Sequence, residues 1–284
     1  MTRVKIITDS TCDLTLEQAK KLDIEIVPLN VHFASESFQD GIDLNKKAFY
    51  SKLVEGAVHP KTSQPSPEQF IKAYNMALKD NDQIISIHIS SDLSGTYQSA
   101  NIAAKEVGQD KIKIIDSRNV SSYLTLQILE IKERLEAGVG IDEIEKEILE
   151  IQPRIKAYFL VDTLTYLEKG GRIGKAQALV GGMLKIKPIL QIKDGIVQPY
   201  EKLRGTKKAL SRIVTDFESF VKNNKNKRLK VGISHSLNEE SLHVVLERIK
   251  PIYSLDKIEI LELGPVVGTH GGPGLFSLGY YASQ

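Results

Sequence analysis

Short runs rich in β-branched residues alternate with amphipathic segments through the first half of the chain, and no other feature restricts the fold as much. Parallel strands cannot be joined by a tight turn. Each needs a crossover, and a helix with one apolar face both spans the distance and covers the sheet. The pattern predicts strands over residues 4–8, 24–31, 83–89 and 111–115, and helices over residues 16–22, 46–53, 67–79, 96–107 and 121–136. Two helix limits carry their own signals. Ser66-Pro67-Glu68-Gln69 offers an N-cap, a first-turn proline and a reciprocal glutamine, and Gly138 can close the helix that ends at residue 136.

After a further helix over 141–149, glycine-rich turns separate strands expected at 158–161, 188–192 and 196–203. Asp194-Gly195 between two of these runs reads as a tight hairpin, so the second sheet contains an antiparallel pair. A helix over 207–221, a strand over 229–234, a helix over 239–249, a strand over 257–263 and an apolar tail follow. The basic, Asn-rich run at 222–228 reads as a solvated turn. With 284 residues, 41% of them hydrophobic, the chain can fill two modest cores. The expected fold is α/β with two domains: residues 1–156 as an N-terminal parallel-sheet α/β/α domain and residues 157–284 as a C-terminal mixed-sheet α/β domain.

Lys and Arg number 38 against 36 Asp and Glu, a net charge of +2, which gives no global pull toward nucleic acid or a membrane surface. Cys12 is the only cysteine, so no intrachain disulfide forms, and the start MTRVKIITDS lacks a signal-peptide pattern, which predicts a cytoplasmic location. The uncharged tail, residues 263–284, is long enough to raise the question of a membrane span. Its six glycines, two prolines and His270 argue against one.

Chemistry is expected where strands end in hydroxyl residues: Asp9-Ser10-Thr11, Ser90-Ser91 before Ser94-Gly95-Thr96, and Asp116-Ser117. Ligands of open parallel sheets bind beyond the carboxyl ends of the strands, so these hydroxyls should gather on one edge. The loop at 91–96 lies between a strand and a helix whose first N–H groups suit a carboxylate or phosphate; read alone, Ser94 or Thr96 is as simply explained as a cap. Thr62-Ser63-Gln64-Pro65-Ser66 again offers hydroxyls, and Thr62, four residues before the cap, is not needed for capping. The segment from Gly264 to Gly274 packs five glycines around Thr269 and His270, the composition of a loop approached closely by something else. His270 can donate to a carboxylate, act as a base, or merely satisfy a turn.

Residues 169–212 hold eleven Lys and Arg against Asp194 and Glu201. Lys169-Gly170-Gly171-Arg172-Ile173-Gly174-Lys175 is no phosphate loop, because the glycine spacing is short and Ala176 stands where a Ser or Thr is required. Arg172 and Arg204 can instead meet an acidic partner or a phosphate, or belong to a solvated basic face. There is no Gly-x-Ser-x-Gly elbow, His-Glu-x-x-His, cysteine cluster or strand-linked Gly-x-Gly-x-x-Gly, and no metal site is expected. A hydrolase using Ser94 and His270 remains an alternative, without an identifiable orienting acid. A lipid-independent docking or regulatory protein using the basic stretch is another.

Read together and in order, these motifs resemble the DegV family of bacterial fatty-acid-binding proteins. The matching pieces are Asp9-Ser10-Thr11-Cys12-Asp13-Leu14, Thr62-Ser63-Gln64-Pro65-Ser66, Ser90-Ser91-Asp92-Leu93-Ser94-Gly95-Thr96-Tyr97, Asp116-Ser117, the stretch from Leu167 to Lys175, Ile186-Lys187-Pro188-Ile189, Arg204-Gly205, and Gly264 to Gly274. The resemblance implies a non-catalytic carrier without a cofactor. A long-chain fatty acid such as palmitate, stearate or oleate would lie in a buried tunnel, its carboxylate bound by Thr62, Ser94 and His270 and supported by Ser63, Gly95, Thr96 and Thr269. It also implies a monomer that delivers the acid to a separate ATP-dependent fatty acid kinase for phospholipid synthesis, with Arg172 and Arg204 near the opening for partner or phosphate contact. Tyr123 and Thr125 depart from the small residues usual for the family in that helix, which bears on the length of the tunnel.

Overall fold

The structure is a computed structural model that describes residues 2–56, 58–181 and 187–283. Lys185 of the basic stretch and Ile186 of the Ile186-Lys187-Pro188-Ile189 motif lie outside the described residues. In chain order the elements are β1 (Val4–Asp9), α1 (Leu16–Lys21), β2 (Ile24–Val27), β3 (Asn30–Phe33), β4 (Glu36–Gln39), α2 (Lys46–Glu55), β5 (Lys61–Ser63), α3 (Pro67–Ala77), β6 (Gln83–His88), α4 (Thr96–Val107), β7 (Ile112–Asp116), α5 (Ser122–Glu136) and α6 (Ile141–Ile151). The second half continues with β8 (Lys156–Leu160), α7 (Thr165–Lys169), β9 (Lys187–Lys193), β10 (Ile196–Leu203), α8 (Thr206–Asn223), β11 (Leu229–His235), α9 (Glu239–Ile249), β12 (Ile258–Glu262), α10 (Pro265–Gly271) and β13 (Phe276–Ala282).

The alternation in the first half produces a four-stranded sheet in the order β2-β1-β6-β7, parallel throughout. Because successive strand residues face opposite sides, Ile7 and Ile84 pack against Phe70, Tyr74 and Ala100 of α3 and α4, while Ile6 and Ile85 turn toward α5 and α6. The second sheet is mixed, in the order β10-β9-β8-β13-β11-β12, with β11 and β12 parallel and the other pairs antiparallel. One of its faces, carrying Tyr158, Ile233 and Leu278, is covered by Ile213 and Phe217 of α8 and Val245 of α9. The other face, carrying Ala157, Phe159 and Tyr281, shares a continuous core with Leu124, Leu126 and Ile128 of α5. α5 is thus packed between the two sheets, which explains why polar Ser122, Thr125 and Gln127 are fully buried along with its apolar residues.

Two expectations are corrected. The single strand at 24–31 is two strands in different sheets: β2 pairs with β1, the chain turns at Pro28-Leu29, and β3 joins β4 and β5 in a separate antiparallel sheet. Proline lacks the N–H that a ladder needs, and Leu29 N–H donates instead to Ser10 Oγ at 3.1 Å. The glycine-rich loop at 264–274 is in large part a helix, α10, with Pro265 in its first turn. Gly268 lets it approach α2, since an added Cβ there would lie 2.7 Å from both the Phe49 ring and Tyr50 Oη.

The Asp194-Gly195 hairpin forms as expected, with Ile196 opposite Lys193 and both turn residues at positive φ, 53° and 80°. Its tip is clasped by the first half of the chain: Ser90 Oγ donates to Gly195 O at 2.8 Å, and Arg118 Nη2 donates to Asp194 O. A Cβ at Gly195 would sit 2.6 Å from Ser90 Oγ and 2.7 Å from Arg118 Cζ. Gly195→Ala therefore meets both a left-handed backbone, about 1–2 kcal/mol, and the clasp itself. The expected outcome is a lower urea midpoint at unchanged m-value; a midpoint equal to that of the parent protein would show that the clasp contributes nothing.

Candidate functional site

The carboxyl ends of the first sheet's strands converge as the hydroxyl pattern predicts. Asp9 Oδ2 accepts from Ile89 N–H at 3.0 Å and meets His88 Nδ1 at 3.1 Å, Ser117 N–H donates to His88 O, and Ser91 Oγ donates to Asp116 Oδ2 at 2.6 Å. Most of these groups satisfy one another. What they frame is a cavity of about 400 Å³ between this edge, the start of α5 and the second sheet. That volume falls within the range of small-molecule sites, roughly 300–1,000 Å³.

The cavity wall is mainly aliphatic and aromatic, with Leu29, Ile89, Leu93 and Val120 from the first half and Phe159, Leu167, Ile192 and Val197 from the second. The segment around α10 adds Leu263, Val266, Val267 and Gly271. Polar side chains are few: Thr11, Thr62, Ser63, Gln64, Ser94, Ser121, Arg172, His270 and Ser277, with the phenol-bearing ring of Tyr123.

Thr62, Ser94 and His270 all reach this cavity. Thr62 is held in β5 opposite Val31 of β3, and its Oγ1 lies 2.8 Å from His270 Nε2 in the last turn of α10. Gly170 permits this placement, since a Cβ there would lie 2.1 Å from His270 Nδ1. Nδ1 is buried without a partner among the described residues. An orphaned N–H donor is rarer in folded proteins than an orphaned lone pair, so the proton belongs on Nε2, which donates to Thr62 Oγ1. The Thr62 hydroxyl hydrogen is then free to point into the cavity. Burial, with Arg172 and His59 nearby, pushes the His270 pKa down to about 3, so the ring is neutral at physiological pH.

Ser94 does not occupy the cap position. Gly95 does, and Ser94 Oγ pairs with Thr96 Oγ1 at 2.9 Å while accepting a long bond from Thr96 N–H at 3.3 Å. Ser63 lines the cavity but its Oγ is also engaged with His32 Nε2 at 2.9 Å. Thr269 turns back into its own helix, donating to Pro265 O at 2.9 Å, and Gly95 and Thr96 stand behind the described wall. Arg172 reaches the wall with Nε on Leu93 O at 3.1 Å and Nη1 on Gly170 O at 2.7 Å; Arg204 is exposed at the end of β10 and contributes nothing to the wall. Of the two unusual residues in α5, Tyr123 lines the cavity, its hydroxyl donating to Tyr158 O at 2.9 Å, whereas Thr125 faces away onto Cys12 O at 2.6 Å. Sequence reasoning missed Gln64 and Ser121 as wall residues. Gln64 sits inside a motif noted for its hydroxyls and Ser121 at the expected start of a helix, and nothing local distinguishes a hydroxyl or amide that faces a cavity from one that faces the backbone.

Known proteins share this arrangement of elements. A family profile described as an uncharacterised protein of the DegV family matches residues 3–283. A DegV domain-containing protein of Clostridium perfringens is 37% identical over 280 residues, covering 99% of each chain. The structure of a DegV family protein from Thermus thermophilus, described for its fatty acid binding, superimposes with a TM-score of 0.92 at 33% identity, covering 99% of both chains. A stearic acid-binding protein from Eubacterium ventriosum superimposes with a TM-score of 0.89 at 27% identity over 99% of this chain and 98% of its own. With the profile running from the first strand to the last and the fold shared throughout, this chain belongs to the DegV family.

Proposed function

We propose that the protein binds a long-chain fatty acid, with the acyl chain in the apolar cavity and the carboxylate held by Thr62, Ser94 and His270. The observation that carries this reading is the Thr62–His270 pair, joined across 208 residues at the wall of an otherwise apolar cavity. An acyl chain gains about 0.8 kcal/mol for each buried methylene, so the wall supplies affinity and the few polar groups supply orientation. The electrostatics favour an anion. Arg172 is the charged side chain on the described wall, and its charge together with burial keeps His270 neutral. A carboxylate entering there would relieve that unbalanced charge. The fatty acids named for the Thermus thermophilus and Eubacterium ventriosum proteins support the same ligand class.

Holding suits this geometry better than hydrolysis. A serine hydrolase needs its histidine on the serine and an acid on the other ring nitrogen. Here Nε2 is on Thr62, and Nδ1 has no partner among the described residues. Neutral hydroxyl donors can grip a carboxylate while leaving one oxygen open, which fits presentation of the acid to a separate ATP-dependent fatty acid kinase, with Arg172 beside the transferring phosphate and Arg204 on the outer surface. The nucleotide and the catalytic groups would belong to that partner. Among the described residues no helix is long and apolar enough to cross a membrane.

Denaturing mass spectrometry of protein purified from bacteria tests the reading. One fatty acid per chain is expected. A ligand-free protein that also refuses added stearate and oleate defeats it, and turnover of acyl esters by the chain alone would replace it with the hydrolase.

A further inference from the structure

The segment that ends β12 and forms α10 gives the cavity Leu263, Val266, Val267, His270 and Gly271, so whatever anchors this segment shapes the cavity. Its beginning is met by two carboxyl groups. Gly264 N–H donates to Asp13 Oδ1 at 2.8 Å, and the Asp40 carboxyl group is met by the Val266 backbone and the Ser10 hydroxyl. The two acids flank one α-carbon: a Cβ at Gly264 would lie 3.0 Å from Asp13 Oδ1 and 3.3 Å from Asp40 Oδ1. Asp13 is 2% exposed and Asp40 4%; the Ser121 hydroxyl lies beside the Asp13 carboxyl, and among the described residues neither Oδ2 has a hydrogen-bond partner. Neighbouring carboxylates out of water cannot both stay ionised at low cost. A proton held by the pair would remove one of the two buried charges and make an unpartnered oxygen a donor.

We infer that Asp13 and Asp40 share a proton and act as positioning residues for α10, fixing its start so that its apolar side and His270 at its far end stay in place against Thr62. The pinning concerns the protein alone; only its consequence for ligand retention rests on the fatty-acid reading.

The charged and titratable neighbours come from every side. Lys46 of α2 donates Nζ to Asp13 O at 3.2 Å and to Glu262 O, bringing positive charge to the pair, and Tyr50 of the same helix donates to Leu263 O at 3.2 Å. Asp9 at the end of β1 and Cys12 in the turn after it lie behind the acids. Glu262 and His235 stand at the ends of β12 and β11, and Asp43 turns away to accept from Gln39 N–H. Burial, only partly offset by Lys46, raises Asp13 to about 6; burial and then the charge of Asp13 raise Asp40 to about 7. Both exceed the value of about 3.9 for an unfolded aspartate. The folded state therefore binds these protons more tightly: the stability they contribute is fully present below about pH 4, falls progressively as pH rises, and is lost once pH has passed through the folded values of about 6 and about 7. The hold on α10 weakens on the alkaline side.

Hydrogen exchange of residues 263–271, followed from acid to alkaline pH on the delipidated full chain and corrected for intrinsic rates, reads this directly. In the parent protein the protection factors should fall with rising pH, by up to about tenfold per pH unit for one linked proton. Asp40→Asn, whose amide carries hydrogens at every pH and does not titrate, should hold protection constant over the same range. A parent protein with level protection, or an Asn variant that keeps the parent slope, overturns the proposal. Should the variants fail to fold, carboxyl carbon NMR of the parent protein decides: an aspartate titrating near neutral pH supports the shared proton, and all aspartates titrating in the ordinary range overturn it. Stearate release is measured alongside. Protection that falls with pH in a protein that binds no acid would sink the fatty-acid reading and leave the proton pair standing.

Discussion

Replacing Ser94 or His270 with alanine should lower the affinity for a long-chain fatty acid by about ten- to a hundredfold, because each change removes a hydrogen bond to a charged group or the support for one, roughly 1.5–3 kcal/mol. Ser94 acts on the ligand directly in this scheme. His270 acts through Thr62: its Nε2 donates to Oγ1 of that residue and so directs the hydroxyl hydrogen into the cavity. The two variants should therefore differ in a useful way. Loss of Ser94 removes a donor from a half-buried loop and should leave the melting temperature nearly unchanged. Loss of His270 also removes a side chain packed against Gly170 and should cost some stability as well as affinity. Titration calorimetry with oleate, beside thermal melts of the ligand-free proteins, checks both. Affinities equal to that of the parent protein in both variants would mean that the carboxylate lies elsewhere.

Narrowing the cavity should weaken long acids far more than short ones. Val267 lies on the wall in the middle of α10, and Val267→Phe would place a ring where the acyl chain is proposed to run. Displacing about three methylenes from apolar surroundings forfeits about 2.4 kcal/mol, close to a fiftyfold loss for stearate. Decanoate, with eight fewer carbons to fit beside the ring, should lose less. An equal loss for both acids would point to damage at the head group, and no loss for either would place the chain outside this cavity. The same comparison bears on Tyr123, whose ring is fixed on the wall by its bond to Tyr158 O and sets one limit of the space.

Much of the architecture is legible before any coordinates. Hydrophobic period, first-turn prolines and the Asp-Gly turn act over a few residues, and they locate β1, β6, α4, α5 and the β9–β10 hairpin closely. The errors are equally physical. A strand-like run says nothing about which sheet it enters, so the change of sheet between β2 and β3 was hidden, although Pro28 was a sign of it. The glycines of α10 looked like loop residues because their local cost in a helix is plain and their benefit is not. That benefit is close approach to Phe49 and Tyr50 from a distant part of the chain.

The sequence by itself determined most of the longer elements, the mixed and parallel character of the two larger sheets, and a short set of polar residues that core packing does not require. Only the tertiary structure decided which of those residues meet. Thr62 and His270 are 208 residues apart, and Asp13 and Gly264 are 251 apart. Periodicity and turn chemistry are local, whereas such pairings are set by how two sheets close on α5, a consequence of side-chain volumes summed over the whole core.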